Sequence, residues 1–194
     1  IVIAFSIATL IFIPMLTSTT APIKSYLSYT LPVVGAGWII ALTGLIDDVK
    51  ELSAKKKMIG ILLAASLVWF LTDFRLNDFK IPFGGPLLHF EPWLSYLLTV
   101  IWIVAITNAV NLIDGLDGLV SGVSIISLVT MGIVSYFFLP VPNLFLTMTI
   151  FVLVASIAGF FPFNYHPAIL YLGDTGALFI GFMISVLSLQ GLKN

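Results

Sequence analysis

Long apolar segments are the feature of this sequence that most restricts its fold. Seven of them follow one another along the chain, at residues 1–16, 29–46, 58–72, 94–112, 119–139, 144–162 and 176–191. A helix of about 20 apolar residues crosses the hydrocarbon core of a bilayer, and backbone groups in lipid need hydrogen-bond partners within the protein. The sequence therefore predicts an all-α, polytopic membrane helical bundle with about seven spans.

The composition agrees with this class of fold. Charged residues make up 9% of the chain and the mean hydropathy is +1.16, whereas a soluble domain carries about 25% charged residues. The net charge of −1 provides no basic surface, so we expect no nucleic-acid partner. The absence of cysteine excludes disulfides and thiolate metal sites.

The two ends of the sequence lead to one expectation about its extent. The chain begins with Ile1 rather than Met, and no basic residues precede the first apolar segment. We therefore expect a truncated span here rather than a signal peptide. We expect residues 1–194 to form a single transmembrane domain that is truncated at both ends.

Acidic side chains occur in every second gap between the apolar segments. They are Asp47, Asp48 and Glu51 in one gap, Asp114 and Asp117 in another, and Asp174 in a third. A chain that weaves through a bilayer returns to the same face at alternate gaps, so these six carboxylates are predicted to gather at one membrane face. Gathered carboxylates at a membrane surface suit a divalent cation such as Mg²⁺ or Mn²⁺.

A polar series ends the fourth apolar segment. Its members recur every three residues, as Asn108, Asn111, Asp114 and Asp117. Each step of three turns about 60° backwards around a helix, so neighbours in the series lie side by side. Gly115 and Gly118 allow the chain to bend where the helix ends. The series therefore predicts a crevice lined by amide and carboxylate oxygens; the alternative is that paired polar groups seal a helix terminus.

Other polar residues of this face have two interpretations each. Asp47 and Asp48 either bind a cation or are solvated at a helix end beside Lys50. Asp174 either ligates a metal or forms a plain N-cap for the last helix. His166 is a lone histidine, and a lone histidine is more often structural than functional.

Lysines follow the acid pair directly, as Lys50, Lys55, Lys56 and Lys57. They form either a solvated cluster facing lipid headgroups or, beside a metal site, a binding site for a diphosphate. Lys57 is the best placed for the second role, because the next span begins there. Basic residues are equally numerous on the two faces, so their count under the positive-inside rule does not decide which face is cytoplasmic. The three consecutive lysines close to a span weakly favour the acidic face as the cytoplasmic one.

The loop at residues 73–93 lies on the opposite face from the six carboxylates. Its alternating pattern around Gly84 and Gly85 predicts a small extracytoplasmic β-hairpin. We assign no chemistry to its charged residues, which have the pattern of a solvated loop.

Three stretches of the acidic face together resemble a known family. They read GLIDDVKELSAKKKMIG at 44–60, NAVNLIDGLDGLVSGVS at 108–124 and FNYHPAILYLGDTGALFIGF at 163–182. In order and position they resemble the polyprenyl-phosphate N-acetylhexosamine-1-phosphate transferases, of the glycosyltransferase family 4 type. The resemblance is closest to the bacterial undecaprenyl-phosphate GlcNAc-1-phosphate transferases of teichoic-acid linkage and common-antigen synthesis.

This resemblance implies an activity for the domain at 1–194. The expected reaction is Mg²⁺-dependent transfer of N-acetylglucosamine 1-phosphate from UDP-GlcNAc to undecaprenyl phosphate, which releases UMP and starts a cell-wall glycan. The expected location is the cell membrane, with the site on the cytoplasmic face; Mn²⁺ as the metal and a homodimer are left open. A histidine-rich motif and an N-terminal motif of the family are absent from these 194 residues, so either the chain is a fragment or its site is incomplete.

The resemblance also implies roles for individual side chains. The implied metal ligands are Asn111 and Asp174, the implied catalytic carboxylates are Asp47, Asp48, Asp114 and Asp117, and the implied substrate-binding residues are Lys57, Asn108, Asp117, Asn164 and His166. Asp47 or Asp48 would deprotonate or orient the lipid phosphate, and Lys57 would contact the diphosphate. Asp114 and Asp117 would help to bind the nucleotide.

Four competing functions are weighed against this one. A phospho-MurNAc-pentapeptide transferase shares the motifs and differs in its sugar. A carboxylate-lined ion transporter would place its acids near mid-span in broken helices, whereas these acids lie at span ends. An intramembrane aspartyl protease needs Gly-x-Gly-Asp, and Tyr171 stands where the first glycine is required. A non-catalytic scaffold would leave the acids unexplained.

Overall fold

The computed structural model describes residues 1–17, 23–80, 85–139 and 143–192. Its helices are α1 (Val2–Ile7), a π-helical turn (Ala8–Phe12), α2 (Ile13–Thr17), α3 (Ile23–Lys50), α4 (Ala54–Leu71), α5 (Pro92–Leu112), α6 (Leu119–Phe137), α7 (Leu144–Asn164) and α8 (Gly173–Leu192). Between α4 and α5, β1 (Asp78–Lys80) pairs antiparallel with β2 (Leu87–His89). The predicted helical bundle with a small hairpin is confirmed. Gly84, at the predicted turn, lies outside the described residues, and the side that the hairpin faces stays a prediction.

Five helices in the described part of the chain are long and apolar enough to cross a membrane. They are Tyr26–Lys50, Pro92–Leu112, Leu119–Phe137, Leu144–Asn164 and Gly173–Gly191. The other two of the seven predicted segments also form helices, but neither is both long enough and free enough of charged residues to count as a candidate span. The first gives only the shorter apolar stretch Val2–Met15, and α4 begins with three lysines. The chain is therefore a polytopic helical membrane protein.

Helix α8 lies at the centre of the bundle. It packs mainly against α3 and α5 and also contacts α6 and α7. Most of its length is buried, whereas the other four candidate spans are less than half buried. The outer helices expose apolar side chains such as Ile126 and Phe137, and surface of this kind is what a bilayer covers.

Helix α4 runs from one end of the bundle to the other. Near its C-terminus, the hydroxyls of Ser66 and Tyr96 lie 2.9 Å apart, which ties it to the beginning of α5. Near its N-terminus, Lys57 Nζ donates to Asp174 Oδ2 at the beginning of α8 over 2.9 Å. The gaps at 51–53, 113–118 and 165–172 consequently meet at one end of the bundle. We call residues 47–57, 111–118 and 164–175 the acidic end.

Two glycines allow the neighbouring helices to approach α8 at backbone distance. A Cβ atom on Gly44 of α3 would lie 2.5 Å from Thr175 Cα, and one on Gly181 of α8 would lie 2.9 Å from Thr107 Cα of α5. These neighbours are backbone atoms, so no side-chain rotation could relieve the overlap. The acidic end can form only if α3 and α8 touch at Gly44.

We expect Gly44→Ala to destabilise the protein by about 1–3 kcal/mol, the usual cost of forcing extra volume into a packed interior. Gly35→Ala is the matched control on the same helix, because a Cβ there meets nothing within 4 Å. Ala is also the better helix former by about 1 kcal/mol, so the control should be neutral or slightly stabilising. Thermal unfolding of both variants in nanodiscs measures the difference, and equal melting temperatures would contradict the close approach.

Candidate active site

The end of α3 points its two adjacent carboxylates at different partners. Helix α3 ends at Lys50, and Glu51 has a left-handed backbone with a φ of 46°. Asp47 is 7% exposed, and its Oδ1 accepts a hydrogen bond from the Leu52 N–H at 2.6 Å. Asp48 is exposed. Because adjacent residues on a helix lie about 100° apart, the two side chains cannot share one environment.

Lys57 lies between two carboxylates that come from different helices. Its Nζ is 2.5 Å from Asp47 Oδ2 of α3 and 2.9 Å from Asp174 Oδ2 of α8. Lys57 itself belongs to the first turn of α4 and is half-buried. One ammonium group therefore joins three helices, and the cluster keeps a net negative charge.

Asn111 contacts the other oxygen of the α8 carboxylate. Its Nδ2 donates a hydrogen bond to Asp174 Oδ1 at 2.5 Å. A side-chain amide carries an oxygen and a nitrogen in equivalent positions, and a half-turn exchanges them. After that half-turn, the amide oxygen of Asn111 and the carboxylate of Asp174 would present two oxygen ligands to the same point.

Asp48 caps helix α8 from outside it. Its carboxylate accepts hydrogen bonds from the Asp174 N–H at 2.8 Å, the Thr175 N–H at 3.0 Å and the Thr175 hydroxyl at 2.6 Å. The first N–H groups of a helix have no partner within it, so this carboxylate supplies what they lack. The alternative in which Asp174 is a plain N-cap is wrong, because Asp174 lies in the first turn of α8.

A cavity of about 200 Å³ adjoins this cluster. Its lining includes Asp114, Asp117 and Asn164 together with Tyr171, Leu172 and Gly173. Burial raises the pKa of Asp114, and the negative charges of Asp174 and Asp48 raise it further. A partly buried carboxylate next to two others is a place where a cation would be stabilised.

The carboxylate of Asp117 has a different environment. Its Oδ2 accepts hydrogen bonds from the Ala168 N–H at 3.1 Å and from His166 Nδ1 at 3.0 Å. The first of these bonds, with help from the second, lowers the pKa of Asp117. Asp117 therefore holds the loop between α7 and α8 against the end of the polar series, while the His166 side chain stays 80% exposed.

We expect Asp114→Asn and Asp117→Asn to change stability in opposite directions at neutral pH. The raised pKa of Asp114 means that its ionisation favours unfolding as the pH rises above the ordinary value of about 3.9, so removing it should stabilise the protein at pH 7. The lowered pKa of Asp117 means that its ionised form favours folding above that pH, so removing it should destabilise the protein at pH 7.

Both effects should shrink as the pH falls below about 4, where the unfolded chain is itself protonated. Thermal unfolding in EDTA at pH 7 and at a pH well below 4 measures them, and EDTA at pH 7 keeps cations from masking the charges. A loss of stability at pH 7 in Asp114→Asn would contradict the raised pKa.

Two asparagines that the sequence assigned to substrate binding have hydrogen bonds within the protein. Asn164 is 4% exposed; its Oδ1 accepts from Ser121 Oγ at 2.7 Å, and its Nδ2 donates to the Leu170 carbonyl at 3.1 Å. Asn108 Nδ2 donates to the carbonyl of Val104 in its own helix at 2.8 Å. Their roles in substrate binding stay predictions, and these bonds show what each side chain does for the fold.

The structure divides the sequence-predicted site residues into groups. Those joined directly in one network are Asp47, Asp48, Lys57, Asn111 and Asp174; those around the adjoining cavity are Asp114, Asp117, Asn164 and His166; Asn108 lies one turn back along α5. Sequence reasoning missed Tyr171, whose side chain is 76% exposed and lines the cavity. An aromatic residue three positions before Asp174, in a loop rather than a span, is the signal that could have found it.

The donor set at the acidic end fits Mg²⁺. No ready-made metal site built from three His, Cys, Asp or Glu side chains is found in the described part of the chain. Mg²⁺ keeps several waters, however, and usually takes only one or two protein carboxylates. Asp174 and Asn111 offer two adjacent hard donors. The carboxylate of Asp114 lies close enough to Asp174 for the negative charge there to raise its pKa.

Known proteins match this chain over most of its length. The model of the family described as Glycosyl transferase family 4 matches residues 30–192. A Bacillus subtilis (strain 168) protein described as a probable undecaprenyl-phosphate N-acetylglucosaminyl 1-phosphate transferase is 42% identical over 160 residues, which are 82% of this chain and 43% of that protein.

Proteins described as a different transferase also match this chain. Phospho-N-acetylmuramoyl-pentapeptide-transferases of Staphylococcus saprophyticus and Listeria innocua are 37% and 31% identical, over 77% and 88% of this chain and 49% and 57% of their own length. The chain thus spans about half the length of the curated relatives it matches. The family that the three sequence stretches resembled is the one that these matches show: this chain belongs to Glycosyl transferase family 4.

Proposed function

We propose that residues 1–194 form the catalytic membrane domain of a Mg²⁺-dependent enzyme that transfers N-acetylglucosamine 1-phosphate from UDP-GlcNAc to undecaprenyl phosphate. The observation that carries this proposal is the meeting of Asp47, Lys57, Asn111 and Asp174, from four helices, at one end of an otherwise apolar bundle. Family membership supports a sugar-phosphate transfer, and the name of the 42% identical relative supports the sugar and the lipid.

The charges of the acidic end suit this reaction. A nucleotide diphosphate and a lipid phosphate are both anions, so a site that joins them needs positive charge. Lys57 supplies one such charge and would bind the diphosphate of the nucleotide sugar. Asp174 and Asn111, with Asp114 nearby, would hold Mg²⁺, which offsets the repulsion and stabilises the charge on the leaving UMP.

The reaction is a substitution at phosphorus. An oxygen of the lipid phosphate forms a bond to the β-phosphorus of UDP-GlcNAc, the bond from that phosphorus to the bridging oxygen breaks, and UMP leaves with that oxygen. Asp47 would orient the attacking phosphate or take a proton from it. We favour Asp47 over Asp48 because Asp47 shares Lys57 with Asp174.

The surroundings of the cluster match the rest of each substrate. The cavity beside Asp117 and Tyr171 would receive part of the nucleotide, with Asp114 and Asp117 as its polar contacts and the exposed ring of Tyr171 as a surface for the base. The apolar outer helices would lie beside the polyprenyl chain. Because nucleotide sugars are made in the cytoplasm, the acidic end would face that side of the cell membrane, and the product would start a cell-wall glycan such as teichoic acid.

The direct test uses the full-length protein in nanodiscs with undecaprenyl phosphate and Mg²⁺. We expect UMP and a lipid-linked sugar diphosphate with UDP-GlcNAc and not with UDP-MurNAc-pentapeptide, and we expect EDTA to stop the reaction until Mg²⁺ is restored. Turnover with the pentapeptide substrate alone would favour the second candidate, the reaction named for the Staphylococcus relative. Failure with both substrates, in a protein that still binds Mg²⁺, would favour the ion transporter.

A further inference from the structure

We propose that Asp48 is a positioning residue: its carboxylate fixes the first turn of α8 and thereby aims the Asp174 carboxylate at Lys57 and Asn111. Only the activity readout of this proposal rests on the proposed function. The acid pair at the end of α3 then has two jobs, with Asp47 in contact with the ionic cluster and Asp48 acting through the backbone of its neighbour helix.

The hydrogen bonds of Asp48 leave it little capacity for a chemical step. An ionised carboxylate has about four lone-pair sites, and three hydrogen bonds of 2.6–3.0 Å already end on this one. Two of these bonds come from backbone N–H groups at a helix N-terminus, where the helix dipole favours a negative charge. Such a carboxylate is held in place.

The position of the cap explains why it controls Asp174. One of the capped N–H groups belongs to Asp174 itself, so no flexible segment separates the cap from the carboxylate that it positions. Gly173 just before it has a φ of 64°, and a Cβ there would lie 3.0 Å from the Asp48 carboxylate. The backbone of α8 therefore comes as close to Asp48 as its atoms allow.

The contact between α3 and α8 at Gly44 also helps to hold the first turn of α8 in place. Gly44 lies one helical turn before Asp48 on α3, and a Cβ there would overlap the backbone of Thr175. Helices α3 and α8 thus touch at Gly44 and are joined by hydrogen bonds at Asp48. These two points of attachment fix both where α8 begins and how its first turn is rotated.

Four variants of the full-length protein test this role. Asp48→Ala removes all three hydrogen bonds, Asp48→Asn keeps an acceptor and is a good helix cap, and Thr175→Val removes only the hydroxyl bond. Glu51→Gln is the matched control, since it changes one exposed acid at the same end of the bundle.

The first measurement is amide hydrogen exchange, which does not depend on activity. In Asp48→Ala we expect the N–H groups of Asp174 and Thr175 to lose their protection, because no other acceptor for them lies within α8, while the later turns of α8 stay protected. In Asp48→Asn most of the protection should remain, and in Glu51→Gln all of it. Unchanged protection of these two groups in Asp48→Ala would overturn the proposal.

The second measurement is the Mg²⁺ requirement. Loss of a group that orients a metal ligand lowers metal affinity by about 10–100-fold, so Asp48→Ala should need that much more Mg²⁺ for half-maximal transfer and for a Mg²⁺-induced rise in melting temperature. Thr175→Val should show a smaller shift, and Asp48→Asn should recover most of the loss. Glu51→Gln should leave the Mg²⁺ requirement unchanged.

A role of Asp48 as the proton acceptor predicts a different pattern. Asp48→Asn would then be as inactive as Asp48→Ala, with its amide protection and its Mg²⁺-induced rise in melting temperature intact, and this result would overturn the positioning role. If the parent protein shows no transfer at all, the proposed function fails, whereas amide exchange and the Mg²⁺-induced melting shift still decide the role of Asp48.

Discussion

Asp174→Asn is expected to lower Mg²⁺-dependent transfer by about 1,000-fold or more, equivalent to about 4 kcal/mol of transition-state stabilisation, in a protein that stays folded. Among the residues that the structure describes, Asp174 is the one carboxylate that contacts both Lys57 and Asn111. Asparagine has nearly the same shape, so the packing at the beginning of α8 should survive. It lacks the negative charge that a site for a dication requires.

The measurement is the initial rate of UMP release over a range of Mg²⁺ concentrations, together with thermal unfolding. Asp78→Asn is the control, because it makes the same change on the hairpin at the other end of the bundle, where Asp78 pairs with His89. Both variants should remain folded at the temperature of the assay. Transfer at the parent rate in Asp174→Asn would reject Asp174 as a metal ligand.

Lys57→Met is expected to cause the second largest loss of activity, together with a loss of stability. The change removes the only cation seen in contact with Asp47 and Asp174 among the described residues. Removing one partner of a buried ion pair costs about 3–5 kcal/mol. Because Lys57 and Asp174 are 19% and 29% exposed, solvent screening should reduce that cost to about 1–3 kcal/mol.

Transfer should fall by about 100-fold or more, which corresponds to about 2.7 kcal/mol, because the diphosphate loses its contact. Lys56→Met is the matched control: Lys56 is the preceding residue and is exposed, so its removal should change neither property appreciably. The rates and the unfolding midpoints of the two variants provide the comparison.

A double variant separates the two effects of Lys57. Asp47→Asn added to Lys57→Met removes a carboxylate that the first change leaves unpaired, so it should restore part of the stability and none of the activity. Equal stability of Lys57→Met and the parent would show that the ion pairs contribute nothing to folding. Parent-like transfer in Lys57→Met would remove Lys57 from the site.

The sequence by itself determined the class of the fold and the end of the bundle where the polar residues meet. The apolar segments had to become helices because lipid offers the backbone no hydrogen-bond partners. Weaving then placed Asp47, Asn111 and Asp174 together, since each lies in or directly beside a gap that returns to the same face. Local spacing and the alternation of gaps carry this information, so no tertiary contact was needed to predict it.

The detailed shape of the spans was only partly predictable. The three lysines at the beginning of α4 and the short length of the apolar stretch Val2–Met15 keep two of the seven apolar segments from qualifying as membrane-spanning helices. Mean hydropathy along a segment does not register where its charges cluster or how long the helix is. The structure nevertheless shows that α4 runs from one end of the bundle to the other, as the alternation of gaps requires.

Only the tertiary structure decided what each polar side chain contacts. The sequence left open which job belongs to Asp47 and which to Asp48. The rotation of α3 against α8, set by the backbone contact at Gly44, turns Asp47 towards Lys57 and Asp48 towards the N–H groups of α8. The bonds of Asn164 inside the fold likewise depend on where α6 and the 165–172 loop pass. Residue types and spacing determine which groups reach a face, but helix rotation and close packing, which depend on the whole bundle, determine which atoms meet.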